Sequence, residues 1–259
     1  MQTFSDQLNA ERKTRTARCD KHGDYVSKQF AGALWSKCPR CSEEYEQARR
    51  EAELKDEETR RVRAWQQRLG NAGIPERFTT RTLDSYQATT DGQHRALAFA
   101  RQYADDFEHV LKTGRSALFV GRPGTGKTHL AVGIALQIMA AGRTALFTTT
   151  LRAIRRIKDT WGKAAEETEA QAVSALTFPD LLILDEVGMQ FGSDAEKLIL
   201  FDVLNDRYEQ RQPTLMLSNL APDAIKGYLG ERIFDRLRED GGQLIVFDWA
   251  SARGQGLNA

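Results

Sequence analysis

The sequence predicts an α/β fold, a central parallel sheet flanked by helices, preceded by a small zinc-binding segment. Three observations carry that prediction. Short apolar runs at residues 117–120, 145–148, 181–184, 214–217 and 244–247 are separated by helix-patterned stretches, as buried parallel strands alternating with helices require. The first run opens into GRPGTGKT, residues 121–128, and then into a helix-like run over 129–141, which is the strand–loop–helix order of a phosphate-binding loop. Every cysteine in the chain (Cys19, Cys38 and Cys41) lies ahead of this pattern.

At 259 residues the chain has room for one large core and one small accessory unit. Hydrophobic residues make up 41% of it, yet no apolar run approaches the length that crosses a bilayer. The opening MQTFSDQLNAERK lacks the apolar stretch of a leader. The expectation is therefore a cytoplasmic protein with no membrane partner. A formal net charge of +1 means that any nucleic-acid surface has to be a local patch.

Cys19, His22, Cys38 and Cys41 spell C-x2-H-x15-C-x2-C, two close ligand pairs separated by a loop, which suits tetrahedral zinc. Gly23 follows the first pair and Pro39 lies within the second, both turn formers. An odd cysteine count in a cytosolic chain argues against disulfides. Four protein ligands leave no open position, so the predicted role is structural, a staple for a segment too small to fold without one. The alternative is ordinary thiols beside a surface imidazole. Residues 1–45 are assigned to this segment.

From Ser42 to about Leu69 the run EEYEQARREAELKDEETRRVRAWQQRL mixes charge signs without Gly or Pro, and reads as a solvated helix supported by i,i+4 pairs. It is assigned as a linker, residues 46–70. Asn71, Gly73 and Pro75 end it, and the main domain occupies residues 71–259.

Within GRPGTGKT, the glycines at 121, 124 and 126 let backbone amides curl around a polyphosphate at a helix N-terminus. Lys127 supplies a point charge to the β- and γ-phosphates, and the Thr128 hydroxyl completes the shell of a magnesium ion. The predicted ATP-contacting set is Gly121, Pro123, Gly124, Thr125, Gly126, Lys127, Thr128 and His129. The third strand ends in LLILDE. A carboxylate at the tip of a buried strand beside a phosphate loop predicts magnesium binding for Asp185 and water polarisation for Glu186. The fourth, TLMLSN, ends in Asn219, which is read either as a γ-phosphate or water contact or as a turn residue. Arg232, Arg236 and Arg238 follow in GERIFDRLRED. They are either ion-pair partners of Glu231, Asp235 and Glu239 or arginines offered to a neighbouring subunit's phosphate, which needs self-association.

Taken in order, GRPGTGKT, LLILDE, TLMLSN and GERIFDR resemble the AAA+ ATPases of the bacterial replicative helicase loader group, the DnaC/DnaI type. GIPERF at 73–78 and QLIVFDWASAR at 243–253 are similar to the same group, so the resemblance covers about residues 70–253. The N-terminal ligand pattern resembles that of phage- and prophage-type relatives. The resemblance implies an AAA+ fold and an ATPase that binds a hexameric replicative DNA helicase through the N-terminal segment, residues 1–45, and helps place it on single-stranded DNA. It also implies Arg236 as an arginine finger, Arg232 as a second member of that box, and Arg253 as a sensor arginine near the nucleotide.

TLRAIRRIKDTW places Arg152, Arg155, Arg156 and Lys158 within two helical turns, with Trp161 behind them. Spacings of three and four put Arg152, Arg155 and Arg156 on a shared face that can track a phosphate backbone, while Trp161 can stack on a base. The other reading is a solvated basic face balanced by Glu166, Glu167 and Glu169. Two other functions fit the motifs. One is a transposition ATPase of the IstB type, acting with a transposase on duplex DNA, and the other is a small-molecule P-loop kinase.

Overall fold

A computed structural model describes residues 13–30, 34–189 and 194–252, and the chain divides into two compact units between Gln66 and Gln67. The first unit opens with an antiparallel hairpin, β1 (Thr14–Cys19) and β2 (Gly23–Lys28), whose last register pair is Cys19↔Gly23. The returning chain pairs Gln29 with Trp35, and the Arg15 guanidinium lies 4.3 Å from the Trp35 ring centroid.

Helix α1 (Pro39–Asn71) begins before the charged run. Proline favours the first helical position because its missing N–H is unpaired there in any case. Cys41 therefore sits on the first turn of α1, and the helix passes through residues 45 and 46 without a break, so the second ligand pair and the charged run share one helix. Its pairs, among them Arg60–Asp56 at 3.1 Å and Arg49–Glu53 at 3.5 Å, are exposed and contribute a few tenths of a kcal/mol each, by the usual worth of such pairs of about 0.3–0.5 kcal/mol.

The second unit follows in the order α2 (Asp91–Asp105), α3 (Phe107–Thr113), β3 (Ala117–Gly121), α4 (Lys127–Ala140), β4 (Ala145–Thr149), α5 (Thr150–Asp159), α6 (Glu169–Thr177), β5 (Leu181–Asp185), α7 (Asp194–Glu209), β6 (Thr214–Ser218), α8 (Pro222–Leu229), α9 (Glu231–Arg238) and β7 (Gln243–Phe247). Helix starts are marked by capping side chains: Thr90 with Gln93 before α2, Thr149 before α5, Thr168 with Gln171 before α6. Each side-chain oxygen takes an amide proton that the first turn would leave unpaired.

The five strands form one sheet in the order β4-β5-β6-β3-β7, parallel throughout. Alternation along β3 serves both faces. Leu118 and Val120 join the core that α5, α6, α7 and α9 complete with Ile157, Leu176, Val203 and Ile233. Phe119 points the other way, 5.9 Å from the Phe99 ring of α2 and 5.1 Å from Phe247. The outer edge of β4 is covered where Phe147 N–H donates to Ala72 O at 2.7 Å. Arg68 donates to the carbonyls of Met139 in the last turn of α4 and of Arg143 just beyond it.

Among the described residues one charge lies fully inside. Arg207 of α7 has no exposed surface, and its guanidinium donates to the carbonyls of Leu176, Thr177 and Pro179 at 2.9–3.1 Å, to Pro213 O at 2.7 Å and to Thr214 Oγ1 at 3.0 Å. Burial pulls its pKa down to about 9. The carbonyls and the Thr214 hydroxyl together accept what it offers, so one side chain joins the end of α6 to the starts of β5 and β6. Among the described residues no helix is long and apolar enough to cross a membrane.

Candidate functional site

The loop between β3 and α4 leaves the finishing end of the sheet. Gly121 closes β3 at φ 132°, and a Cβ there would lie 2.1 Å from Phe247 O, so the parallel β3–β7 pairing excludes any other residue. Lys127 is buried, its Nζ donating to Gly121 O and Arg122 O at 2.8 Å each. Thr125 Oγ1 donates to Arg122 O at 2.8 Å. His129 turns away from the loop: its Nε2 lies 2.9 Å from Thr82 O and 3.1 Å from Ser85 Oγ, its ring meets Tyr86 edge-on at 5.2 Å, and burial lowers its pKa. Pro123 and Gly124 complete the loop, and Ala252 N–H donates to Gly124 O at 2.9 Å. Arg253 lies outside the described residues.

Thr128 Oγ1 donates to Asp185 Oδ2 at 3.1 Å. Two oxygens sharing an octahedral magnesium shell at about 2.1 Å lie about 3 Å apart, so this pair fits that ion. Burial raises the Asp185 pKa, opposed by the Glu186 amide, the Thr128 hydroxyl and the Lys127 charge. Glu186 is exposed and held at φ 61°, a left-handed backbone that a residue with a long side chain adopts only at a cost of about 1–3 kcal/mol. Its neighbours hold it there. The Glu186 N–H donates to Asp185 Oδ1 at 2.8 Å, Thr150 Oγ1 to Asp185 O at 3.1 Å, Val187 N–H to Leu217 O at 2.9 Å, and Ser218 Oγ to Val187 O at 2.7 Å. Because β6 lies between β3 and β5, Asn219 at its tip stands between the phosphate loop and the acidic pair.

The arginines stand elsewhere. Arg236 donates to Asn205 Oδ1 and lies 4.6 Å from the Tyr208 ring centroid, lining a small cavity with Ser116 and Thr214 at the starting ends of β3 and β6. Five residues of strand, about 16 Å at ~3.3 Å per residue, separate that end from the phosphate loop. Arg232 lies over Phe201 at 5.4 Å and is exposed.

Helix α5 buries Ala153, Ile154 and Ile157 and exposes Arg152, Arg155, Arg156 and Lys158. Arg156 makes a bidentate pair with Glu167 at 2.8 and 2.9 Å, Lys158 reaches Glu196 at 3.2 Å, and Trp161 Nε1–H donates to Glu169 Oε2 at 2.9 Å with its ring 55% exposed. Part of the basic face is thus balanced by the acidic run. Arg152 and Arg155 face solvent with no partner among the described residues.

In the first unit, Cys19, His22, Cys38 and Cys41 converge, their ligand atoms all within 4.8 Å of one another. Cys19 Sγ to Cys41 Sγ is 3.5 Å, and His22 Nδ1 lies 3.8, 3.7 and 3.3 Å from the sulfurs of Cys19, Cys38 and Cys41. Zinc–ligand bonds of about 2.0–2.3 Å make tetrahedral edges of about 3.5–3.8 Å, so the four residues fit that ion. His22 Nε2 lies 3.0 Å from Glu44 Oε1, while Lys21 Nζ holds Glu44 Oε2 at 2.6 Å. Donation from Nε2–H leaves the Nδ1 lone pair facing the sulfurs. Backbone amides of His22 and Lys21 pull the Cys19 thiol down to about 6, and Cys41, sharing a proton with the Cys19 sulfur, is pushed up to about 11.

Three residues of these sites escape the sequence reading: Glu44, Tyr86 and Trp249. Tyr86 and Trp249 reach Thr125 from 39 and 124 residues away, and no short-range pattern marks such contacts. The aromatic in FDWASAR, beside an otherwise polar stretch, was the available signal.

The profile of the IstB-like ATP binding proteins matches residues 42–237. Replicative helicase loader DnaC from Buchnera aphidicola subsp. Schizaphis graminum is 36% identical over 185 residues, 71% of this chain and 74% of that protein. Replicative helicase loader DnaC from Escherichia coli K12 is 32% identical over 197 residues, 76% of this chain and 79% of the relative. A crystal structure of the DnaC helicase loader superposes with a TM-score of 0.61 at 25% identity, covering 67% of this chain and 100% of the other. The phosphate loop at the tip of β3, the Asp185–Glu186 pair on β5 and these matches agree: the chain is an AAA+ ATPase that belongs to the IstB-like ATP-binding family and is related to the DnaC helicase loaders.

Proposed function

We propose that this protein is an ATP-dependent loader that binds a hexameric replicative DNA helicase through its N-terminal Cys/His segment and assists the placement of that helicase on single-stranded DNA. The observation that carries this reading is the likeness to proteins named replicative helicase loader over 71–76% of the chain. ATP binds at Gly121–Thr128 with magnesium held by Thr128 and Asp185, Glu186 polarises the attacking water, and Asn219 contacts the γ-phosphate or that water. Zinc on Cys19, His22, Cys38 and Cys41 supplies a fixed scaffold for the partner-binding segment. Arg152 and Arg155 have no acidic partner among the described residues, which supports a role for them on the phosphate backbone of the single strand, with the exposed face of Trp161 stacking on a base. Because Arg236 stands about a strand's length from its own phosphate loop, the reading has it act on a neighbour's γ-phosphate in a self-associated assembly, with Arg232 beside it and Arg253 as the sensor arginine.

The test is capture of the full chain by purified replicative helicase, followed by helicase deposition on circular single-stranded DNA with ATP. The expected result is a stable complex that Cys38→Ser abolishes, and deposition that depends on the chain. A second reading is the transposition ATPase of the IstB type, acting with a transposase on duplex DNA, to which the match to the IstB-like ATP binding proteins gives weight. Binding to transposase and duplex, with none to helicase, replaces the first reading by the second.

A further inference from the structure

The carbonyls of the phosphate loop are occupied by the protein itself. Lys127 takes those of Gly121 and Arg122, the Ala252 N–H takes Gly124 O, and Thr125 O is taken twice, by Trp249 Nε1–H at 2.9 Å and by Tyr86 O–H at 3.4 Å. A trans peptide is planar, so its C=O and N–H point in opposite directions. Holding Thr125 O toward the indole therefore turns the Gly126 N–H the opposite way. That amide belongs to the run of loop N–H groups that cradles a polyphosphate.

The geometry points to Trp249, assisted by Tyr86, as a positioning residue for ATP: it fixes the Thr125–Gly126 peptide so that the Gly126 N–H is presented to the phosphate chain before any nucleotide arrives. Both donors are themselves held. The Trp249 ring packs on Phe247 with centroids 4.8 Å apart and covers Gly92, where a Cβ would lie 3.0 Å from Cε3. Tyr86 closes on Gly126, which sits at φ 96° with Tyr86 Cε2 only 2.7 Å from where its Cβ would stand, so no other residue fits between ring and loop. The segment from Phe247 to Ala252 runs along the loop, since Phe247 O also accepts Arg122 N–H at 3.2 Å. Preorganisation of this kind removes an ordering cost from binding. It concerns the ATP site alone and does not depend on which macromolecule the chain serves.

The test uses the full chain with Trp249→Phe, which keeps a ring against Phe247 and removes the donor, with Tyr86→Phe, and with both. Calorimetry measures ATP and ADP, and inorganic tripolyphosphate is titrated as an inhibitor of ATP turnover. For Trp249→Phe the expected result is a loss of about 5-fold in affinity, the scale of one hydrogen bond, equal for ATP and ADP and matched by tripolyphosphate. KM rises while kcat at saturating ATP stays within about twofold, because positioning of the ground state is lost rather than a contact made only in the transition state. Tyr86→Phe gives a smaller loss, and the double variant more than either. Unchanged ATP affinity in the double variant overturns the proposal. So does a fall in ATP affinity with tripolyphosphate inhibition intact, since Trp249 would then be touching the base. If Trp249→Phe does not fold, Tyr86→Phe alone decides by the same parallel between ATP and tripolyphosphate.

Discussion

The Thr128 hydroxyl donates to Asp185 Oδ2 at 3.1 Å, joining two residues 57 positions apart at the finishing ends of β3 and β5. The bond passes the tip of β6, which lies between those strands. A hydroxyl and a carboxylate at this distance fit the shell of one cation, and Lys127 stands one residue before the hydroxyl.

Lys127→Ala is expected to lower ATP affinity at least ~10-fold, because the lysine charge on the phosphates is lost. Glu186→Gln is expected to behave differently, keeping ATP affinity while turnover falls by about 100-fold, as befits loss of a general base. Equilibrium binding of a fluorescent ATP analogue, measured beside steady-state phosphate release, separates the two.

Glu186→Gly should raise thermal stability while abolishing turnover. The φ of 61° is open to glycine without strain, and relief of a single left-handed residue is worth about 1 kcal/mol. Calorimetric unfolding of the nucleotide-free chain reads this directly. A lower melting temperature in the variant means that the carboxylate, not the backbone, holds the turn.

Arg236→Ala is expected to retain ATP affinity and lose at least ~10-fold in turnover, as for an arginine acting on transition-state charge. Mixed with Lys127→Ala it should regain activity, since a Lys127→Ala subunit still offers its own Arg236 to a neighbour with an intact phosphate loop. A mixture that assembles but stays inactive removes the arginine from the neighbour's site.

Metal analysis is expected to find about one zinc per chain, lost on Cys38→Ser or Cys41→Ser. Glu44→Gln should weaken zinc by about 10-fold without removing a ligand, because the carboxylate orients His22. Cys19 is an acid whose pKa is lowered in the fold, to about 6. The unfolded thiol ionises only near 9.0, whereas in the fold the thiolate is present above about 6 and is lost as pH falls through that value. Zinc retention should hold at neutral pH and decline below that point, as measured by chelator competition across pH.

Arg207→Met is expected to destabilise the ATPase unit by about 3 kcal/mol, since it leaves several buried carbonyls without donors. Arg207→Lys should recover little of this, because an ammonium lacks the planar fork that reaches both sides. Denaturant unfolding of each variant is the measurement.

The local order of the chain determined much of this protein. Strand–loop–helix at 117–141, the apolar run ending in Asp185–Glu186, and C-x2-H-x15-C-x2-C are short-range patterns, and each sits where its spacing indicates because periodicity and turn chemistry act over a few residues. The hairpin at 14–28 and the early start of α1 at Pro39 were not legible, since the first has little apolar alternation and the second hides inside a ligand pair. Tertiary structure alone decided what meets across the sheet. It set Asn219 between the phosphate loop and the acidic pair, paired Arg156 with Glu167, and gave Arg152 and Arg155 no partner among the described residues. It took Arg236 to the far end of the strands and brought Trp249 onto Thr125. Such contacts depend on strand order and on packing between segments up to 124 residues apart, and composition and periodicity carry no record of either.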